Sequence, residues 1–286
     1  MQDYRIETFL TLCETMNYRQ AAERLHITQP AVTQHIQYLE AYYGCKLFSY
    51  DGRKLTKTEQ AALLERGAHA MKYQEERLRA DLRLRGALSL SIGATKTIGE
   101  FVMTDHISRY LELPGNRLSV DVDNTARILE RLNQGKLDFA IVEGYYNRSD
   151  YGDRIYQKDL FVGLCARNHP LAGKTVSLDE LWEEDLLLRE KGSGTREILE
   201  HFLNEQNHAT SDFARVTCIG NLGLMERLLA RGKGITFAYA AAASGNEHLA
   251  SFFVEGWKLQ REFNYVFLRD TGADKLVELF DSYRHQ

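Results

Sequence analysis

Residues 18–43, YRQAAERLHITQPAVTQHIQYLEAYY, read as two short helices joined by a tight turn, and that reading decides the class of the N-terminal part of the chain. The first helix carries Ala21, Ala22 and Leu25, small or apolar where two helices must approach closely. Leu25-His26-Ile27-Thr28 supplies the turn. Thr28 is a good N-cap, because its hydroxyl can take an unpaired amide of the next helix. Pro30 falls within the first helical turn, where a missing N–H costs nothing. Val32, Ile36 and Leu39 follow at steps of four and three, and so share one buried face. That leaves Gln29, Ala31, Thr33, Gln34 and Gln37 on or beside the open N-terminal half. A glutamine amide can bond two edges of adenine, alanine and the threonine methyl can touch the thymine methyl, and none of these repels phosphate. These are the side chains of a recognition helix in a helix-turn-helix. Periodicity alone equally allows an amphipathic hairpin with a polar outer face.

The wording separates the two. Asn17-Tyr18, the Ala21-Ala22 pair and the run from Thr28 through Leu39-Glu40 are followed by Gly44-Cys45-Lys46-Leu47-Phe48 and Leu55-Thr56. Together they resemble the N-terminal domain of LysR-type transcriptional regulators. The resemblance implies a winged helix-turn-helix in which Arg19, Gln29, Pro30, Ala31, Thr33, Gln34 and Gln37 face double-stranded DNA, with Arg53 and Lys54 of the wing on its backbone. The wing departs from the family pattern. Tyr50 stands where members commonly carry arginine, Ser49–Lys54 is about two residues short, and Glu59 replaces a usual glycine. Phosphate contacts from the wing therefore rest on Arg53 and Lys54 alone.

Charge agrees with this polarity of the chain. The whole carries −4, but residues 1–86 hold 13 Lys and Arg against 11 Asp and Glu, and the remainder 23 against 29. The N-terminal part is thus +2 and the rest −6, the right sign for a DNA-binding head. Apolar content of 44% and charged content of 27% belong to an ordinary globular protein, long enough at 286 residues for two or three domains. No apolar run approaches the ~20 residues of a membrane span. The N-terminus lacks the layout of a secretion signal, so a cytoplasmic location is expected. Cys13, Cys45, Cys165 and Cys218 are scattered without metal or redox spacing and are expected to be buried free thiols.

Three parts follow along the chain. Residues 1–57 are the DNA-binding domain, with a wing around Asp51-Gly52. Residues 58–86 form one charged linker helix, in which Leu64, Ala68, Met71, Leu78 and Leu82 recur at heptad-like steps, with Glu75 interrupting. Such a polar helix needs its stripe covered, either by a copy of itself or by its own domain; Arg85-Gly86 ends it. From residue 88, strands alternate with helices. Strands are expected at 88–92, 118–122, 137–142, near 154–166, at 185–189, near 213–219, at 235–238 and in an extended segment at 263–268. The helices run from Gly99 to about Leu113, then at 125–134, 195–206, 222–231 and 274–284. The alternation calls for a parallel sheet with helices on both faces. The family resemblance extends here to an α/β effector domain over 87–286, built like a periplasmic solute-binding protein. Its first lobe would take about 88–160 and 266–286, and its second about 161–265.

Two loops in this half suit a small anion. Gly93-Ala94-Thr95-Lys96-Thr97 joins a strand to a helix start and offers amides, two hydroxyls and an ammonium. Gly192-Ser193-Gly194-Thr195-Arg196 repeats the device. Each loop taken singly is also an ordinary helix cap; the solute-binding resemblance implies that they face one another across a cleft. Glu143 after the third strand, Asn221 before a helix and Tyr239 after the Gly232–Gly234 turn complete the expected effector site, while Phe237 reads as core. No nucleophile–base pair, Walker loop or GxGxxG fingerprint is present, so neither an enzyme nor a cofactor is expected. The expectation is a ligand-responsive regulator that takes a small anionic metabolite. The family implies self-association as a dimer or a tetramer of two dimers, and RNA polymerase as a further partner.

Overall fold

A computed structural model describes residues 3–50, 53–83, 88–257 and 259–284. It divides into two compact units, Met1–Arg85 with Asn133–Gly135, and Gly86–Leu132 with Lys136–Gln286.

The first unit opens with α1 (Tyr4–Thr15), α2 (Tyr18–Leu25) and α3 (Gln29–Tyr43). Each helix start is capped by its own sequence. Asp3 accepts from the Arg5 amide, Asn17 from the amides of Arg19 and Gln20 at 2.9 and 3.1 Å, and Thr28 from that of Ala31. The turn after α2 closes with His26 in the left-handed region at φ 55°. Phe9, Leu12, Ala21 and Val32 are wholly buried where the three helices meet, joined by Ile36 and Leu39. Strands β1 (Phe48–Tyr50) and β2 (Leu55–Lys57) pair antiparallel as the wing, Ser49 opposite Thr56; its expected turn, Asp51-Gly52, lies outside the described residues.

Helix α4 (Glu59–Arg83) carries the linker stripe in two parts. Ala68 is buried and Leu64 partly so against the helix-turn-helix core. Met71, Leu78 and Leu82 stay exposed, at 47, 59 and 78%. The expected stop at Arg85-Gly86 lies outside the described residues.

The second unit begins with β3 (Ser89–Thr95), α5 (Lys96–Phe101), α6 (Thr104–Leu111), β4 (Arg117–Asp123), α7 (Thr125–Asn133) and β5 (Phe139–Val142). The single helix expected to about Leu113 is broken: the amides of Val102 and Met103 both bond Ile98 O, which closes α5 and turns fully buried Met103 inward. The long strand β6 (Gly152–Ala166) follows, then β7 (Thr175–Val176), β8 (Asp185–Arg189), α8 (Gly194–Glu205), β9 (Arg215–Ile219) and α9 (Leu222–Ala230). The chain closes with β10 (Thr236–Tyr239), β11 (Leu249–Val254), β12 (Gln260–Phe267) and α10 (Ala273–Ser282).

The main sheet runs β4-β3-β5-β12-β6-β11-β7, with β10 also on β6. It is mixed rather than wholly parallel, because β12 lies antiparallel to both β5 and β6. Strand β6 pairs β12 over Gly152–Leu160, then β10 and β11 over Phe161–Ala166, so two long strands cross between two sheet-centred lobes. In the first lobe Ile128 and Leu132 of α7 cover one face, and Tyr110 and Phe280 cover the other. In the second, Met225 and Leu229 of α9 face Val162, Leu164 and Leu187, while Ile198, Leu199 and Leu203 of α8 lie on the side of Leu186, Leu188 and Phe237. Strands with both faces covered read as apolar runs, which is why Phe139–Val142 is legible. Strand β11, exposed at Phe253 and half-buried at Ala250 and Ser251, carries no such signal and is not anticipated.

The cysteines differ from expectation. Cys13 and Cys165 are buried, but Cys45 is only half-buried and Cys218 is exposed. Cys218 sits on β9, an outer strand paired only with β8, where Arg215–Cys218 are all exposed.

Candidate nucleic-acid interface and effector cleft

On the first unit, α3 buries Val32, Ile36 and Leu39 and thereby turns Gln29, Pro30, Gln34 and Gln37 fully outward, with Ala31 and Thr33 half-buried beside them. Gln29 donates through Nε2 to the Thr33 hydroxyl at 3.1 Å, which orients both on one face. Arg19, held only by an exposed pair with Glu23, lies beside this helix start. A groove of ≈710 Å³ joins Arg19 and Gln29 to Tyr50, Arg53 and Lys54 of the wing. The tertiary structure thus gathers recognition-helix and wing residues that lie up to 35 positions apart. Tyr50, 67% exposed, stands in this groove in place of a cation; its ring offers stacking and one hydroxyl.

In the second unit, the two predicted loops meet at the lobe junction. Thr95 ends β3 and is 2% exposed, Thr97 opens α5, and Glu143 follows β5. The Thr97 hydroxyl donates to the Glu143 carboxyl, and Thr125 donates to Glu143 O at 3.3 Å. From the other lobe, Gly194 packs on this segment. A Cβ there would lie 3.5 Å from Glu143 O and 3.6 Å from Gly144 Cα, so the start of α8 rests against the backbone after β5. Ser193 and Thr195, both buried, hydrogen-bond each other at 2.9 Å.

Two predicted residues are already engaged. Lys96 does not present a free ammonium: it bonds Glu190 at 2.8 Å and Gly220 O at 3.1 Å, across the cleft. Burial would raise the Glu190 carboxyl, but bonds from Arg189 and Lys96 hold it down to about 2, so this latch stays charged at neutral pH. Asn221 spends its Oδ1 as the cap of α9, accepting from Leu224 at 2.8 Å. Tyr239 is fully buried and its hydroxyl has no partner. Phe237 is core, as read from sequence.

Sequence reasoning missed Thr125, Arg189, Glu190, Arg261 and Asn264. Nothing local marks them, since each acts on segments far away in the chain.

Glu143 is shifted in the opposite direction from Glu190. Burial pushes its carboxyl up to about 7 despite the Thr97 bond and the field of Arg189. The folded form therefore holds a proton that the unfolded chain releases near pH 4.5, and stability falls as pH rises between these values. We expect the second unit to lose roughly 2 kcal/mol between pH 5 and 7.5 from this group. Thermal unfolding of Glu143→Gln should show that slope removed; an unaltered slope would assign it elsewhere.

Two family descriptions match this chain. "Bacterial regulatory helix-turn-helix protein, lysR family" covers residues 4–62, and "LysR substrate binding domain" covers residues 85–283. The chain belongs to the LysR family of transcriptional regulators. Among LysR-type relatives, it is 28% identical over 271 residues to the HTH-type transcriptional regulator CysL of Bacillus subtilis, covering 91% of this chain and 89% of that one. An uncharacterized HTH-type transcriptional regulator of Methanocaldococcus jannaschii is 31% identical over 239 residues, 80% of this chain and 79% of its own. In fold, the full-length OxyR structure from Pseudomonas aeruginosa covers 99% of this chain and 94% of its own at a TM-score of 0.65 and 19% identity. A LysR-type chain is a DNA-binding regulator with an effector-binding domain and not an enzyme. No helix among its described residues is long and apolar enough to cross a membrane.

Proposed function

We propose that this LysR-type regulator reads a specific operator through Gln29, Ala31, Thr33 and Gln34, and that a small anionic metabolite between the lobes of its second unit sets its DNA affinity. One observation carries the ligand half. Thr95 Oγ1, Glu143 Oε2, Tyr239 OH, Arg261 Nε and Asn264 Oδ1 are all shielded from solvent and have no hydrogen-bond partner among the described residues. Leaving such groups unpaired costs about 1–3 kcal/mol each, so a cleft that keeps them is poised for a polar guest. The facing hydroxyls of Ser193 and Thr195 and the start of α8 favour negative charge there.

The working division is 1–57 as DNA-binding domain, 58–86 as linker and 87–286 as effector domain, with lobes of about 88–160 plus 266–286 and about 161–265. The exposed Met71, Leu78 and Leu82 of α4 pair with a second copy, giving a dimer or a tetramer of two dimers that acts in the cytoplasm and contacts RNA polymerase. Ligand must bind one arrangement of the lobes better than another, since equal binding shifts nothing. Selection from random duplexes at about 0.15 M salt, where nonspecific attraction is already weak, should return a two-fold symmetric motif with half-sites one helical turn apart. Recovery of no motif would remove the operator reading. Thr97→Val with Thr195→Val should blunt the ligand response of operator binding by about tenfold while sparing bare DNA binding; a surviving response would place the effector elsewhere.

A further inference from the structure

The predicted loops supply hydroxyls and amides but little positive charge, because Glu190 takes Lys96 and Glu200 takes Arg196. Charge lies instead at the crossover strands. A cavity of ≈390 Å³ there is lined by Gly144, Tyr145, Lys158, Ile198, Arg261 and Asn264, among others. It therefore touches the segment after β5, both crossover strands, and α8 of the other lobe.

Arg261 is its organising group. The guanidinium donates to the Tyr145 hydroxyl at 3.1 Å and lies over that ring, 5.5 Å from its centroid. Among the described residues it pairs with no carboxylate, and its shielded Nε has no partner. Lys158 and Arg148 stand at the rim and share Glu262, and Arg148 also pairs Asp153 at 3.5 Å; the lining itself carries three cations against one carboxylate. A half-buried guanidinium without a counter-ion is expensive, and a carboxylate or phosphate group would satisfy it in the fork geometry that arginine favours.

The neighbouring vacant groups ask for the opposite partner. Asn264 Oδ1 is an acceptor, and Glu143 Oε2 can accept; the hydroxyls of Thr95 and Tyr239 take either role. Asn264 lines the same cavity as Arg261, so its open acceptor and the guanidinium face one space. A bare carboxylate or sulfate has no proton to give the Asn264 oxygen, which can only accept.

We infer that the effector is a small anion that also carries hydroxyl or amino donors, a hydroxy acid or amino acid, with its anionic group on Arg261 and a donor toward Asn264 Oδ1. This rests on the effector reading above and goes past it by naming the ligand class and the residue that holds the charge. A molecule bound this way bridges both lobes and the strands between them. It therefore discriminates between lobe arrangements, as any effector must.

The test is thermal unfolding and titration of the full chain with lactate, malate and serine, against propionate, succinate and inorganic phosphate. At least one donor-bearing acid should bind about tenfold more tightly than its donor-free counterpart. Arg261→Gln should weaken that acid by about tenfold or more, and Arg261→Lys should recover part of the loss, which a merely structural arginine would not allow. The inference is overturned if binding survives in Arg261→Gln, if donor-free acids bind equally well, or if no acid of the panel binds. Operator affinity separates the two readings. A response lost in Thr97→Val with Thr195→Val but kept in Arg261→Gln removes the Arg261 assignment and keeps the effector cleft. An acid held by Arg261 that leaves operator affinity unchanged keeps the anion site and removes its role as effector.

Discussion

Replacing Gln29 and Gln34 together with alanine should abolish discrimination between the operator and unrelated duplexes, leaving weak, salt-sensitive binding. Each glutamine that bonds a base edge contributes about 1–3 kcal/mol of discrimination, so the pair is worth about 30- to 10⁴-fold in the affinity ratio. Folding should be indifferent. Both side chains are exposed, α3 is anchored by Val32, Ile36 and Leu39, and its Thr28 cap does not involve them. The loss within the protein is the single bond from Gln29 to Thr33. Fluorescence anisotropy with specific and scrambled duplexes, at two salt concentrations, reads the effect directly. If the affinity ratio is unchanged, α3 does not read the bases.

Gly234→Ala should disrupt the second lobe outright. Gly234 adopts φ 134°, a region closed to L side chains, and a Cβ there would stand 2.3 Å from the backbone oxygen of Asp185. That oxygen accepts from the Ile235 amide, and the Leu187 amide donates to Ile235 O, both at 2.8 Å. These bonds join the β8–β9 pair to β10, and the Thr236 hydroxyl adds a third link to Leu187 O at 2.6 Å. The strained backbone and the clash both act on this junction, so a loss of roughly 3 kcal/mol or more is expected. For a unit of this size that lowers Tm by about 6–12 °C. Calorimetry should show the lowered transition, while a helix-turn-helix unit with its own core keeps its affinity for nonspecific DNA. A transition within a degree of wild type would mean that Asp185 moves away at no cost.

Much of this was open to reading along the chain because the deciding residues are neighbours in sequence. Asn17 and Thr28 mark helix starts by accepting from amides two or three positions on, Pro30 by lacking an N–H in the first turn, and Val32, Ile36 and Leu39 declare their face by spacing alone. Phe139–Val142 reads as a covered strand for the same local reason. The break after α5 was not readable, since Val102 and Met103 are as apolar as a continuing helix would require. Nor was β11, whose mixed exposure hides its period.

The sequence by itself determined the helix-turn-helix, the α/β character of the second unit, and the two hydroxyl-bearing loops, because periodicity and capping are short-range and follow from residue order. Only the tertiary structure decided which charges are spent and which are open. Lys96, which heads a plausible anion loop, is neutralised by Glu190 from 94 positions away, whereas Arg261 donates to a tyrosine 116 positions back and, among the described residues, pairs with no carboxylate. Whether a cation is available depends on the groups within hydrogen-bond reach. In a two-lobed fold those groups come from segments that no local pattern connects.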